Sequence, residues 1–189
     1  MRTLTVCIVV ALVLAQASTA AETLFVDDIH DGATGTGARD DPFRVLQDAI
    51  DHAATGDEVM ILPGVYQAVP ESFTEGLCGN CEEHLTDVRA TRGFVIAGKA
   101  LTITGSGADS TVLHTNAGYG IYFEDSRDSE LTGLSVTGGV RDADGMATDA
   151  GVVARRSRVT IREVAIVDNT DRADDVVVGI GGVMGREGA

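Results

Sequence analysis

The chain has 189 residues, 44% of them hydrophobic and 23% charged, which suits one globular domain. Its 29 acidic residues outnumber its 14 basic residues and give a formal net charge of −15. This charge excludes nucleic acid as a partner, because phosphate binding needs a basic face. It also repels acidic polysaccharides unless cations or a local arginine cluster intervene. The 23 glycines and the lack of tryptophan favour many tight turns over a bulky aromatic core.

Residues 1–20 have the pattern of a secretory signal peptide. Arg2 gives a positive start, residues 6–15 form an apolar run, and residues 18–20 are small, as a cleavage site requires. The apolar run is too short for a membrane span, and an uncleaved anchor is the alternative. The mature chain is therefore predicted to begin near Ala21 and to be secreted or held at the cell surface, with no membrane span after cleavage.

Residues 21–66 are predicted to form the N-terminal cap of a single domain over residues 21–189. The cap opens with a short strand at residues 23–27 and continues with a loop rich in glycine and acidic residues. Its last element is an unbroken apolar run at residues 59–62, which is typical of a strand covered on both faces.

An amphipathic helix is predicted between these two strands. It begins at Phe43, with Asp41 as its N-cap, because apolar residues recur at three- and four-residue spacing as far as Ala53. Gly56 follows at a position that suits a left-handed helix end. The apolar side of this helix is expected to cover the open first coil of a stack of strands.

One block of the N-terminal cap combines an extended start, this helix, a Gly-Asp turn and a Pro-Gly-x-Tyr segment. Its residues are Phe25, Val26, Asp27, Pro42, Phe43, Leu46, Gln47, Ala49, Ile50, Ala53, Gly56, Asp57, Val59, Leu62, Pro63, Gly64 and Tyr66. The block resembles the N-terminus of secreted β-helix proteins of the pectin-lyase-like superfamily. The resemblance implies an all-β fold, a right-handed parallel β-helix (solenoid) with an N-terminal capping α-helix. It leaves function open, because that superfamily includes lyases, hydrolases, epimerases, adhesins and inert solenoids.

Residues 67–92 are predicted to be a long, polar, irregular loop, and such loops in compact domains are usually functional or mobile. Cys78, Cys81 and His84 follow one another at three-residue spacing within it. They could supply three zinc ligands, but a structural zinc site needs a fourth. A disulfide between Cys78 and Cys81 that pins the loop is the favoured interpretation in an oxidising compartment.

Short β repeats are predicted over residues 93–189. Gly120 aligns with Gly151, and Leu134 aligns with Val164, in two successive units. Without an insertion at residues 141–150, each turn takes about twenty residues, which lies within the range of known repeat periods. The chain ends without a capping helix or a polar end coil, so the solenoid is predicted to be truncated at its C-terminus.

Acidic loops in this region raise the hypothesis of a calcium site. Asp142, Asp144 and Asp149 lie in the insertion, and Asp168 and Asp171 lie in the corresponding loop one coil later. Stacked loops would bring these carboxylates together, and calcium takes about six to eight oxygen ligands. The resemblance adds that lyases of this superfamily often use calcium to neutralise substrate carboxylates. A solvated acidic loop is the simpler interpretation.

A basic cluster in the same repeat raises the hypothesis of a lyase. The cluster consists of Arg141, Arg155, Arg156, Arg158 and Arg162. A polysaccharide lyase needs a base beside a uronate carboxyl group and a cation to stabilise the resulting charge. The resemblance allows Arg or Lys as that base, which makes Arg155 and Arg156 the catalytic candidates, with Lys99 behind them. The alternative is that these arginines pair with neighbouring aspartates on the surface.

These observations predict a secreted β-helix protein that binds or cleaves a polysaccharide. Its enzymatic form would be a polyuronate lyase assisted by calcium, or a glycoside hydrolase. The alternative is a non-catalytic scaffold or adhesin of the cell surface. The sequence contains no nucleophile elbow and no diagnostic pair of catalytic carboxylates, so the functional prediction rests on the fold.

Overall fold

The computed structural model describes residues 20–29, 35–78, 86–141, 150–169 and 181–186. It is 58% strand with one helix near the N-terminus, and its strands form a mostly parallel β-solenoid of about four turns. The predicted all-β fold, a parallel β-helix with an N-terminal capping helix, is confirmed. No helix in the described part of the chain is both long and apolar enough to cross a membrane.

Twelve strands and the helix make up the described fold. In chain order they are β1 (Thr23–Val26), α1 (Leu46–His52), β2 (Glu58–Ile61), β3 (Gly64–Gln67), β4 (Glu71–Cys78), β5 (Thr86–Ala97), β6 (Thr102–Thr104), β7 (Thr111–His114), β8 (Tyr119–Glu124), β9 (Arg127–Thr137), β10 (Ala150–Arg155), β11 (Arg158–Ile166) and β12 (Gly181–Arg186).

The strands form three faces. The first face contains β1, β2, β6 and the first parts of β9 and β11, and the second contains β3, β7 and the remaining parts of β9 and β11. These strands belong to one seven-stranded sheet. The third face is a five-stranded sheet in the order β12, β10, β8, β5, β4. Strands that stack coil on coil pair in parallel, whereas β4 pairs antiparallel with β5.

Alternate side chains of each strand fill the interior. Val59, Ile103 and Leu131 are buried on successive coils of the first face, and Ile121 and Val152 on the third. The residues between them point outward, because successive strand side chains face opposite sides of a sheet. On most coils, the residues that point outward from the first face are polar.

The register confirms the repeat predicted from the sequence. Strands β8 and β10 pair with Ile121 opposite Val152, which places the aligned glycines 120 and 151 side by side. Strands β9 and β11 pair with Leu134 opposite Val164. Equivalent side chains of successive coils therefore stack in columns along the solenoid axis.

Left-handed backbone marks the corners of the coils. The residues with positive φ at these corners are Gly98, Asp125 and Arg156 between the third and first faces, Gly133 and Glu163 between the first and second, and Asn116, Gly138 and Asp168 between the second and third. Residues other than glycine rarely adopt this backbone conformation. Its recurrence shows that the backbone bends in the same way at each corner from one coil to the next.

A column of glycines crosses the third face. Gly93, Gly120, Gly151 and Gly182 are neighbours in register on four successive coils. A Cβ atom on Gly93 would lie 2.5 Å from the carbonyl oxygen of Gly120, and one on Gly120 would lie 2.4 Å from that of Gly151. The close approach of the backbones therefore requires glycine at both positions.

Helix α1 begins later than predicted, at Leu46 instead of Phe43, and its N-cap side chain makes no capping hydrogen bond. Phe43 is extended: its N–H donates to the Phe25 carbonyl, and its own carbonyl accepts from the Asp27 N–H, both at 2.8 Å. Pairing with β1 thus overrides the helical periodicity of the sequence. The prediction of Asp41 as the N-cap is wrong for the same reason.

Helix α1 covers the first coil as expected and lies beside the second half of β5, beyond the residues of β5 that pair with β4. Leu46, Ala49 and Ile50 are its buried residues. The Gln47 side-chain amide pairs with the backbone of Val95, donating to its carbonyl at 3.0 Å and accepting from its N–H at 2.9 Å. The amide thus takes the place of a neighbouring strand and satisfies an edge that would otherwise be open.

Two turns of the N-terminal block have direct structural roles. The Asp57 carboxylate accepts from the backbone N–H groups of Glu22 at 2.8 Å and of Ala54 at 2.7 Å. Gly64 lies against the side chain of Asp28, where a Cβ atom would come within 2.6 Å of the carboxylate. Both turns therefore tie β1 to the start of the next coil.

The segment 67–92, predicted to be an irregular loop, is largely a hairpin. Strand β4 pairs antiparallel with the first half of β5, from Glu71 opposite Arg92 to Cys78 opposite Thr86. Residues 79–85, which include Cys81 and His84, and the side chain of Cys78 lie outside the described residues. The disulfide and zinc hypotheses therefore stay predictions.

Candidate functional site

The β4–β5 hairpin covers the outer face of the third sheet. A second core lies between them, consisting of Val88, Ala90, Tyr119, Tyr122, Ala150 and Val153, with Phe73, Val95 and Met184 packed against it. The ring of Phe73 lies 5.7 Å from that of Tyr119 and 5.6 Å from that of Tyr122, centroid to centroid. The aromatic side chains of this face are therefore buried and not available to a ligand.

Glu75 of the hairpin is fully buried in this second core. Its Oε1 lies 3.8 Å from Nη1 of Arg155 on β10, and its Oε2 lies 3.4 Å from Nη1 of Arg186 on β12. The two arginines are opposite each other in the register of β10 and β12. A buried carboxylate requires such partners, because burying an isolated charge is costly. Glu75 therefore links the hairpin to β10 and β12, which belong to two further coils.

Both arginines predicted as catalytic candidates pair with carboxylates. Nη1 of Arg155 also lies 3.6 Å from Oε1 of Glu124. Arg156 binds Asp125 with two hydrogen bonds of 2.8 and 2.9 Å and donates to Glu124 at 2.9 Å. The Arg156 hydrogen bond holds the pKa of the Asp125 carboxyl below its usual value. This is the pairing that the sequence offered as the alternative to catalysis.

Tyr122 lies close enough to Arg155 for the guanidinium to influence its pKa. Burial raises its pKa, and the adjacent Arg155 guanidinium opposes that rise. Because the net pKa is raised, the phenol stays protonated at neutral pH.

Lys99, the third catalytic candidate, caps helix α1. Its Nζ donates to the carbonyls of Ile50 at 2.7 Å, Asp51 at 3.1 Å and Ala53 at 2.9 Å. An ammonium group has three donors, so all three are used. Lys99 also lines a groove of about 270 Å³ beside Gln47. Its contacts give it a structural role at the C-terminal end of the helix.

Replacing Lys99 with methionine is expected to lower the free energy of unfolding by about 1–2 kcal/mol, since hydrogen bonds from a charged donor to the helix carbonyls are lost. Urea unfolding followed by circular dichroism measures the change. The exposed Arg44 provides a control of the same charge, and Arg44→Met should have little effect. Equal effects of the two substitutions would contradict the capping role.

The predicted calcium ligands are mostly beyond the described residues. Asp142, Asp144, Asp149 and Asp171 fall in the segments 142–149 and 170–180. Asp168 is exposed at a coil corner, and its carbonyl accepts from the N–H of Gly138 at 3.3 Å. In the described residues, no group of three or more His, Cys, Asp or Glu could hold a metal ion. Calcium therefore stays a prediction.

The first face presents a regular polar column to solvent. Thr23, Glu58, Thr102, Glu130 and Thr160 are neighbours in register on five successive coils, and we call them the Thr–Glu column. All are exposed or half-buried, and the residues on either side of them along each strand point inward. Threonine and glutamate thus alternate along the axis, one side chain per coil.

A companion column runs parallel to it, two residues further along each strand. It consists of Phe25, Met60, Thr104, Thr132 and Arg162. Thr104 Oγ1 donates to Oε1 of Glu58 at 3.0 Å, and Arg162 Nη2 donates to Oε2 of Glu130 at 3.5 Å. The two columns form one strip of hydroxyl, carboxylate, guanidinium and apolar groups.

No protein-family model, curated protein or solved structure matches this chain.

The sequence did not single out Glu75 or the Thr–Glu column. The members of the column are separated by a full coil in the sequence, so no local motif contains two of them. The available signal was the polar–apolar alternation within each short strand, such as Thr102-Ile103-Thr104. Aligning the coils on that alternation would have revealed the column.

Proposed function

We propose that the protein is a secreted β-helix of the pectin-lyase-like type that binds a polysaccharide on its first face without cleaving it. The observation that supports this is the Thr–Glu column with its companion column. Hydroxyl and carboxylate side chains supply the donors and acceptors that sugar hydroxyls require. Met60 adds an apolar group to the strip, next to Phe25, whose ring is covered by the Arg39 guanidinium at 5.4 Å.

The spacing of the coils supports a ligand that lies along the solenoid axis. Neighbouring strands are about 4.8 Å apart, so the Thr–Glu column places one polar group at each such step over about 19 Å. One pyranose ring in an extended chain has a length close to that step. A polysaccharide along the axis would therefore meet one polar group of the column at each successive sugar.

The contacts of the candidate bases favour binding over cleavage. Arg155 and Arg156 are paired with carboxylates, and Lys99 donates to three carbonyls. Proton abstraction requires a base that can reach the substrate. A non-catalytic protein of the cell surface, the alternative raised by the sequence, has no such requirement. Calcium bound by the acidic loops would act in addition to polysaccharide binding by the first face.

Thr102→Val and Thr132→Val remove hydroxyl groups from the strip with little change of shape. We expect each to weaken binding of the retained polysaccharide by roughly two- to tenfold, the value of one hydrogen bond. Affinity electrophoresis against a panel of neutral and charged polysaccharides measures this. Thr137→Val on the second face is the matched control.

Two results would contradict the proposal. If no polysaccharide in the panel is retained, or if Thr137→Val weakens retention as much as the strip variants, the first face is not the binding surface. If polyuronates release unsaturated products and Arg155→Ala abolishes that release, the protein is a lyase.

A further inference from the structure

We propose that the ligand of the first face is a cationic polysaccharide, an extended chain of β-linked amino sugars. This inference rests on the proposed binding function and names its substrate class. The feature that carries it is the order of side chains in the Thr–Glu column, in which a carboxylate alternates with a hydroxyl group.

The carboxylates of the column recur at every second coil. Glu58 and Glu130 are both register partners of Thr102, one on each side. Two strand spacings separate them by about 10 Å. In an extended β-linked chain, alternate sugars turn the same edge to one side, so amino groups on that side also recur at every second sugar. Each carboxylate would then meet one ammonium group.

Both carboxylates have capacity for a further donor. Glu58 accepts from Thr104 at 3.0 Å and from Thr23 at 3.5 Å, and a carboxylate has about four acceptor positions. Glu130 is paired with Arg162 at 3.5 Å, and the Arg162 side chain is 62% exposed. An exposed pair of this kind contributes little, so an ammonium group can replace the guanidinium at small cost.

The charge of the whole protein favours the same class of ligand. The formal net charge of −15 attracts a polycation and repels a polyuronate. Arg155 and Arg156, which could have offset that repulsion, are paired with Glu75, Glu124 and Asp125. Binding to an amino-sugar chain is therefore expected to weaken as salt is added, because salt screens exposed charges.

Three hexamers distinguish the possibilities by titration calorimetry on the mature chain: glucosamine, N-acetylglucosamine and galacturonate. We expect the glucosamine hexamer to bind most tightly at a pH where its amines are protonated. Glu58→Gln and Glu130→Gln should each weaken that binding by up to about fivefold, and should weaken binding of the N-acetylglucosamine hexamer less, because only the charge is lost. A double Asp48→Asn and Asp109→Asn variant, which removes two exposed charges elsewhere, is the control.

Each other outcome overturns the inference in a recognisable way. Equal binding of the glucosamine and N-acetylglucosamine hexamers would refute the cationic ligand and leave the binding function intact, as would preference for galacturonate. Equal losses in the control variant would assign the effect to net charge and not to the column. If none of the hexamers and no polysaccharide of the panel binds, the proposed function itself fails. Thermal unfolding of each variant verifies that it is folded.

Discussion

Replacing Glu75 with alanine is expected to lower the free energy of unfolding by about 3–5 kcal/mol, because the buried ion pairs of Arg155 and Arg186 with this carboxylate are broken. Arg155 and Arg186 would lose the carboxylate that lies 3.8 and 3.4 Å from them. The second core between the hairpin and the third sheet would also lose the volume of the side chain. The hairpin should then detach before the coils unfold.

Glu71 on the same strand provides the matched control. Its side chain is 62% exposed and pairs with Arg92 at 3.0 Å, so Glu71→Ala should cost no more than about 1 kcal/mol. Urea unfolding gives the free energies, and near-ultraviolet circular dichroism of Tyr119 and Tyr122 reports on the hairpin. Glu75→Gln separates loss of charge from loss of volume. A similar cost for Glu75→Ala and Glu71→Ala would show that the buried network does not hold the hairpin.

Replacing Gly120 with alanine is expected to lower the free energy of unfolding by about 3 kcal/mol, the upper range for overpacking of a tight interior. Its Cβ atom would lie 2.4 Å from the carbonyl oxygen of Gly151. That oxygen belongs to the backbone of the next coil, so relief requires the coils to move apart and their ladder hydrogen bonds to lengthen.

Gly182 occupies the same column, and no described atom lies within 4 Å of a Cβ atom built on it. Gly182→Ala should therefore be neutral or stabilise the protein by about 0.4–1 kcal/mol, since alanine reduces the freedom of the unfolded chain. Thermal unfolding of both variants tests the comparison. If Gly120→Ala is as well tolerated as Gly182→Ala, crowding is not the reason for glycine in this column.

The repeat could be predicted because each of its units is a short, continuous stretch of the sequence. Gly120 and the apolar positions of β8 recur with the same spacing at Gly151 and in β10, and the structure pairs them in that register. The start of the helix could not be predicted in this way. The periodicity that begins at Phe43 is helical, but Phe43 pairs with the backbone of β1, and this tertiary pairing decides its conformation.

The buried ion cluster and the polar columns depend on contacts between distant parts of the chain. Phe73 and Glu75 are two residues apart, as residues on one face of a strand are. No local feature of the sequence, however, predicts that Glu75 lies beside Arg155 and Arg186. The Thr–Glu column has one member per coil, so it emerges only from the register. Paired arginines were foreseen as an alternative, but their partners were expected to be aspartates alone, and Arg155 pairs with two glutamates.

The left-handed corners give successive coils the same backbone geometry. Because corner residues such as Asp125 and Arg156 adopt the same backbone conformation on successive coils, adding or removing one coil would leave the geometry of its neighbours unchanged. Each added coil would extend the Thr–Glu column by about 4.8 Å. In the proposed binding mode this step corresponds to one sugar, so the number of coils that carry the column would set the shortest chain that binds firmly.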